Sequence, residues 1–137
     1  TELGGGLYCP PTVLVDVDHR MKVMTEETFG PLMPLMPFSE PAEAIALAND
    51  SEYGLSGAVF AGDEAEALAI AAELEAGAIS INDAGLTAVV HDAEKNAVKS
   101  SGLGPSRMGP AALRRFMRKR AYLIGRSPAA TGDPWWF

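Results

Sequence analysis

The residue types with the most evident chemical use lie in Glu26-Glu27-Thr28-Phe29-Gly30-Pro31. Two acids, an aromatic ring and a Gly-Pro turn sit between two extended apolar stretches. That is the strand-to-loop edge where α/β sheets hold ligands. A carboxylate there can accept two hydrogen bonds from a vicinal diol such as a ribose, and a phenyl ring offers a flat apolar face to a planar heterocycle. A turn with solvated acids and one packed Phe is the plainer alternative. The other reactive types are sparser. Cys9 is the single thiol; it lies between Tyr8 and Pro10 with no nearby base in sequence, so it is expected to pack near a strand start rather than act as a nucleophile. His19 and His91 are the two imidazoles and form no helical metal-binding pair, so both are expected on surface loops. The run Gly102-Leu-Gly-Pro-Ser-Arg-Met-Gly109 fails the dinucleotide fingerprint, because Arg107 occupies the third glycine position and no β-branched strand leads into it.

These groups need elements to hold them. Thr12-Val-Leu-Val-Asp-Val17 is β-branched and follows Pro10-Pro11, which predicts a strand over 12–17. Residues 32–38 are apolar but include Pro34 and Pro37, which predicts an edge strand or an irregular extended stretch. Ser39-Glu40-Pro41 offers a cap and a first-turn proline for a helix over Ala42–Asn49. Residues 57–61 read as a strand. Asp63-Glu-Ala-Glu66 reads as a capping box for a helix carrying Ala67, Ile70, Ala71 and Leu74, with Gly77 as a left-handed stop. Residues 78–82 read as the next strand, Pro110 to about Phe116 as a helix, and 121–124 as a final strand. Strands alternating with helices through short connections predict an α/β fold with a parallel sheet layer and flanking helices.

Composition bounds the class. The chain has 137 residues, 47% hydrophobic and 21% charged, enough for one domain with a core and unlike a disordered chain. A single cysteine excludes an internal disulfide and a multi-thiolate zinc site, and favours a reducing compartment such as the cytoplasm. No apolar run is long enough to span a bilayer. The opening Thr-Glu-Leu-Gly-Gly-Gly has neither the features of a signal peptide nor an initiator Met, so the chain is expected to begin mid-protein. Charge is divided: residues 1–94 hold 17 acidic and 2 basic residues, and residues 95–137 hold 9 basic and 1 acidic. The basic residues sit among Leu113, Phe116, Met117 and Tyr122. They are expected to form a solvated face that complements the acidic part, within the chain or across a subunit boundary, rather than a nucleic-acid site. The terminal Trp135-Trp136-Phe137 is expected to pack on this chain or a neighbour.

The chain resembles the aldehyde dehydrogenase superfamily. The likeness rests on Pro11-Thr-Val-Leu14, Met24-Thr-Glu-Glu-Thr-Phe-Gly-Pro31, Ala44-Ile-Ala-Leu-Ala-Asn49, Tyr53-Gly-Leu55, Gly77-Ala-Ile-Ser-Ile-Asn82 and Ser101-Gly-Leu-Gly104, in the family's order and near its spacing, from about residue 7 to 124. It implies NAD(P)-dependent oxidation of an aldehyde to an acid, in which a cysteine forms a thiohemiacetal, hydride leaves for the nicotinamide, and a glutamate-activated water hydrolyses the thioester. Residue by residue, it implies that Glu27 binds the nicotinamide ribose hydroxyls and Phe29 contacts the nicotinamide side of the cofactor. Asp83, Leu86 and Thr87 would line the aldehyde entrance. Residues 1–116 would form part of the α/β catalytic domain, and 117–137 the oligomerisation strand and aromatic tail. Arg118–Ile124 would pair across subunits in a dimer or tetramer.

The departures are specific. The family's nucleophile motif, general base and Rossmann domain lie upstream of the segment matched here, and Cys9 does not fit the nucleophile motif. The chain alone is therefore expected to be inactive. The family's Pro-Phe-Gly-Gly before Ser-Gly is replaced around Lys95-Asn-Ala-Val-Lys99, and the loop after Asn82 is slightly longer. A non-catalytic assembly module derived from the same fold, and a CoA-acylating or phosphate-reductase relative, remain alternatives.

Overall fold

The computed structural model describes residues 6–104 and 108–124. After the stiff Pro10-Pro11 entry, β1 (Thr12–Leu14) pairs in parallel with β2 (Leu32–Pro34), with Val13 opposite Met33. The bonds Thr12 N to Pro31 O (2.9 Å) and Leu35 N to Leu14 O (2.8 Å) extend the pairing at its two ends. Pro34 lacks an amide proton, and it sits where β2 stops. β1 is shorter than the predicted 12–17 because Asp16 adopts φ 56°, a left-handed backbone that breaks the extended run. Between the two strands lies a helical turn, α1 (Lys22–Thr25), which has too few residues to show a hydrophobic period. A Lys22–Glu26 ion pair of 3.1 Å spans it.

α2 (Pro41–Asn49) starts on Glu40 and not on a Ser39 side-chain cap. Ser39, the residue before that cap, contributes its backbone amide, which donates to Glu43 Oε2 at 2.9 Å and ties the entering chain to the first turn. β3 (Tyr53–Gly54) pairs antiparallel with β6 (Val98–Lys99). β4 (Gly57–Val59) pairs in parallel with β5 (Ile79–Ile81), and α3 (Glu64–Ala72) crosses over between them. Asp63 caps α3, accepting from Ala65 N at 3.1 Å. Ala67 on α3 is completely buried, and with Val59 and Ser80 it forms the centre of this βαβ unit. The fold is thus α/β, with its parallel layer built as two separate pairs and one antiparallel pair beside them.

Gly77 is not the left-handed stop that the sequence suggests. Its φ is not positive; the helix ends at Glu73, and glycine is required at 77 because a Cβ would lie 2.1 Å from the carbonyl oxygen of Asn96. The chain leaves β5 through Asn82, whose φ of 52° suits an asparagine. It then forms α4 (Leu86–Val89) and, after β6, α5 (Gly109–Arg114), with Pro110 in its first turn. Helical turns continue through Phe116 N to Leu113 O at 3.1 Å. Residues 121–124 form no strand among the described residues, because no described segment lies beside them to supply a ladder. Trp135-Trp136-Phe137 lies outside the described residues.

Candidate functional site

Glu27 follows the turn of α1 and lines a hollow of about 660 Å³. Asn49 and Ser51 from the end of α2, Tyr53 and Gly54 from β3, Glu75 and Ser101 form much of the remaining wall. Hydrogen bonds fix that wall. Asn49 accepts from Glu75 N and donates to Glu73 O, both at 2.8 Å, and Gly54 N donates to Ser101 Oγ at 3.0 Å. Lys99 braces the same region from β6, pairing with Glu75 at 2.7 Å and donating to Asn49 O at 2.6 Å and Ser51 O at 3.1 Å. These last bonds put a cation on the carbonyl end of α2, where the helix dipole favours it. The Glu52 carboxylate foremost, then partial desolvation, a hydrogen bond to Glu52 and the charges of Glu27 and Glu26 hold the Tyr53 hydroxyl above its ordinary pKa.

Phe29 does not share this hollow. Its ring is 95% exposed and is absent from the lining, beyond a tight turn closed by Gly30 N to Thr28 O (2.9 Å) and Leu32 N to Gly30 O (2.8 Å). The structure therefore places Glu27 on a cavity wall and Phe29 on open surface, and does not bring the two together. For a nicotinamide cofactor the residues present fit in part. An exposed carboxylate on the wall of a hollow of mixed polar and apolar lining can hold a ribose diol, whereas the ring is free to meet only something applied from outside the described residues.

The second cluster follows β5. Asp83 does not line a cavity; its Oδ1 accepts from Gly85 N (2.5 Å) and Leu86 N (3.2 Å) and so organises the start of α4. Leu86 lines a hollow of about 320 Å³, and Thr87 lines both this one and a neighbour of about 210 Å³. Leu86 and Thr87 are thus brought together, and Asp83 supports them from behind. The Ser80 hydroxyl is buried against the larger of the two hollows with no hydrogen-bond partner among the described residues. Lys95 lines both hollows, and sequence reasoning did not single it out as a site residue. The signal was the substitution around Lys95-Asn-Ala-Val-Lys99, which puts a cation in place of a small, largely apolar motif.

The remaining candidates are structural. Cys9 is exposed. His19 lies in the loop between β1 and α1 as expected but is half-buried there, and its Nε2 lies 2.8 Å from Asp50 O and 3.1 Å from Asp50 Oδ2 at the end of α2. His91 is exposed, and its carbonyl accepts from Gly109 N at 2.8 Å. No group of three or more His, Cys, Asp or Glu among the described residues could hold a metal ion. No described helix is long and apolar enough to cross a membrane.

Residues 1–122 match the sequence model of the aldehyde dehydrogenase family. The chain belongs to that family. A 4,4'-diapolycopene aldehyde oxidase of a Methylomonas species is 44% identical over 136 residues, 98% of this chain and 25% of that protein. Among solved structures, the PutA protein of Anabaena variabilis superposes with a TM-score of 0.88 at 64% identity, covering 100% of this chain and 29% of that one. The Mycobacterium tuberculosis aldehyde dehydrogenase complexed with NAD+ gives a TM-score of 0.77 at 34% identity, covering 84% of this chain and 23% of that one. The chain thus spans about a quarter of the length of the aldehyde dehydrogenase relatives it matches.

Proposed function

We propose that this chain is the C-terminal part of an NAD(P)-dependent aldehyde dehydrogenase that oxidises an aldehyde to a carboxylic acid. The single observation that carries the reading is a family match that runs almost the length of the chain and includes Glu27, an exposed carboxylate on the wall of a hollow of about 660 Å³. The bound NAD+ of the Mycobacterium tuberculosis relative supports the choice of cofactor. A bound dinucleotide would supply the acceptor for the hydride that leaves the substrate carbon. Glu27 accepts hydrogen bonds from the nicotinamide ribose hydroxyls and so orients the ring. Phe29 presents its exposed face to the nicotinamide side once the remainder of the enzyme covers it. Leu86 and Thr87, with Asp83 holding their loop, shape the aldehyde entrance. The nucleophilic thiol and the general base come from upstream sequence, so residues 1–137 alone turn over no aldehyde. Residues 118–124 pair with a second subunit, in the cytoplasm.

The test is Glu27→Gln in the full-length enzyme. Loss of a charge-assisted hydrogen bond is expected to cost about 1–3 kcal/mol in transition-state stabilisation, read as a higher KM for NAD(P) or slower hydride transfer. Unchanged cofactor KM and turnover would overturn the role of Glu27. A second reading, a non-catalytic assembly module, is favoured by Tyr122, Leu123 and Ile124, which are 76%, 95% and 73% exposed. Light scattering combined with an aldehyde oxidation assay separates the two, since only the first couples an oligomer to NAD(P) reduction.

A further inference from the structure

The segment between β5 and β6 has few internal means of holding its shape. α4 has four residues, far below the length at which a helix is stable by itself. Its start is tied by Asp83, and its far side needs another anchor. That anchor is Lys95. Its half-buried Nζ donates to the carbonyl of Thr87 and lies 3.1 Å from Met108 Sδ, so one amine joins α4, the approach to β6 and the start of α5. Ala78, Thr87 and Lys95 line both hollows beside the loop, so the bond between Thr87 and Lys95 lies at the boundary between the one of about 210 Å³ and the one of about 320 Å³.

The ground on which Lys95 is fastened is also constrained. Asn96 N donates to Gly77 O at 3.1 Å, and the Asn96 carbonyl sits where any Cβ at 77 would be. Met108 holds φ 114°, a costly backbone for a side-chain-bearing residue, and Gly109 N closes back onto His91 O at 2.8 Å. The backbone around Lys95 is thus tied at Asn96, next to it, and at His91, four residues before it, which makes Lys95 a post from which Thr87 is positioned.

We propose that Lys95 is a positioning residue that sets the shape of the aldehyde-selecting hollow by pinning the Thr87 carbonyl. The proposal rests on the reading of Leu86 and Thr87 as substrate-lining residues. Its test uses the full-length protein in two arms. In the first, Lys95→Met keeps the apolar stem and removes the donor, and Lys95→Arg keeps a donor. KM is measured over a series of straight-chain aldehydes, together with KM for NAD(P) and kcat. Lys95→Met is expected to raise the KM of the preferred aldehyde about tenfold and flatten the chain-length preference. The KM for NAD(P) and kcat are unchanged, and Lys95→Arg recovers most of the loss. In the second arm, amide hydrogen exchange over residues 86–91 is expected to speed up at least about tenfold in Lys95→Met, with α3 and β5 unaffected. An unchanged aldehyde profile, or equal rises in both KM values, overturns the selecting role. Unchanged exchange overturns the pinning role. A wild-type enzyme that oxidises no aldehyde overturns the proposed function instead, and the exchange arm then still decides whether Lys95 holds Thr87.

Discussion

The strands of the βαβ unit, β4 and β5, and those of the β1–β2 pair are all short and largely apolar, yet the first two are the better covered. In the βαβ unit Ala67 is fully buried, Ser80 is 2% exposed and Val59 8%, because α3 lies across both strands and closes one face. In the other pair Val13, Val15 and Met33 are 56%, 64% and 58% exposed, with no described element laid over them. The difference separates a part that completes its own packing from one that presents a face to be completed. Contiguous exposed apolar surface of this kind marks an interface. Residues 122–124 repeat the pattern at the other end of the described chain.

Substitutions can break or sharpen this contrast. The largest effect is expected at Gly77→Val. The new Cβ would meet Asn96 O at 2.1 Å and Asn96 C at 2.2 Å, backbone that cannot yield by rotating a side chain. A loss of about 3 kcal/mol is expected from such overpacking, measured by denaturant unfolding, against a change within about 0.5 kcal/mol for Val13→Thr on the open face. Equal effects at the two positions would erase the distinction. An intermediate effect is expected at Asp63→Ala, which removes the cap of α3; the cost is about 1 kcal/mol, with faster amide exchange confined to the βαβ unit. The smallest is the pH dependence contributed by Asp18. Arg20 donates to its carboxylate through side chain and backbone and holds its pKa below the ordinary aspartate value. A depressed folded pKa gives stability that is complete above the unfolded pKa and is lost as pH falls through the folded one. Asp18→Asn should remove that part of the acid sensitivity, and because both groups are exposed the change in midpoint should be slight.

Where a local signal dictated structure, the sequence was readable. Pro41 and Asp63 start α2 and α3, and the period of Ala67, Ile70 and Ala71 carries α3 to its end. Long-range causes were not readable. Asp16 stops β1 through its own backbone conformation, Gly77 answers to a carbonyl that is 19 residues away, and residues 121–124 lack a described neighbour to make them a strand. The site divides similarly. Glu27 stood out as an acid beside a Gly-Pro turn and does line a hollow, whereas Leu86 and Thr87 were named only through the family resemblance. The separation of Phe29 from the hollow depends on a turn whose direction no residue pattern specifies. Lys95 acts through a bond to a main-chain oxygen, and main-chain acceptors leave no mark in a sequence.

The connection from 83 to 95 is fastened at its two roots by asparagines. Asn82 Oδ1 accepts from Ala61 N at 2.9 Å, and Asn96 N donates to Gly77 O at 3.1 Å, so each end is clipped to the βαβ unit independently of what lies between. Those clips make the intervening stretch an exchangeable cassette: its length and chemistry can be rewritten while the sheets beneath keep their register. A scaffold arranged in this way can acquire a new substrate through one contiguous replacement, without renegotiating its core.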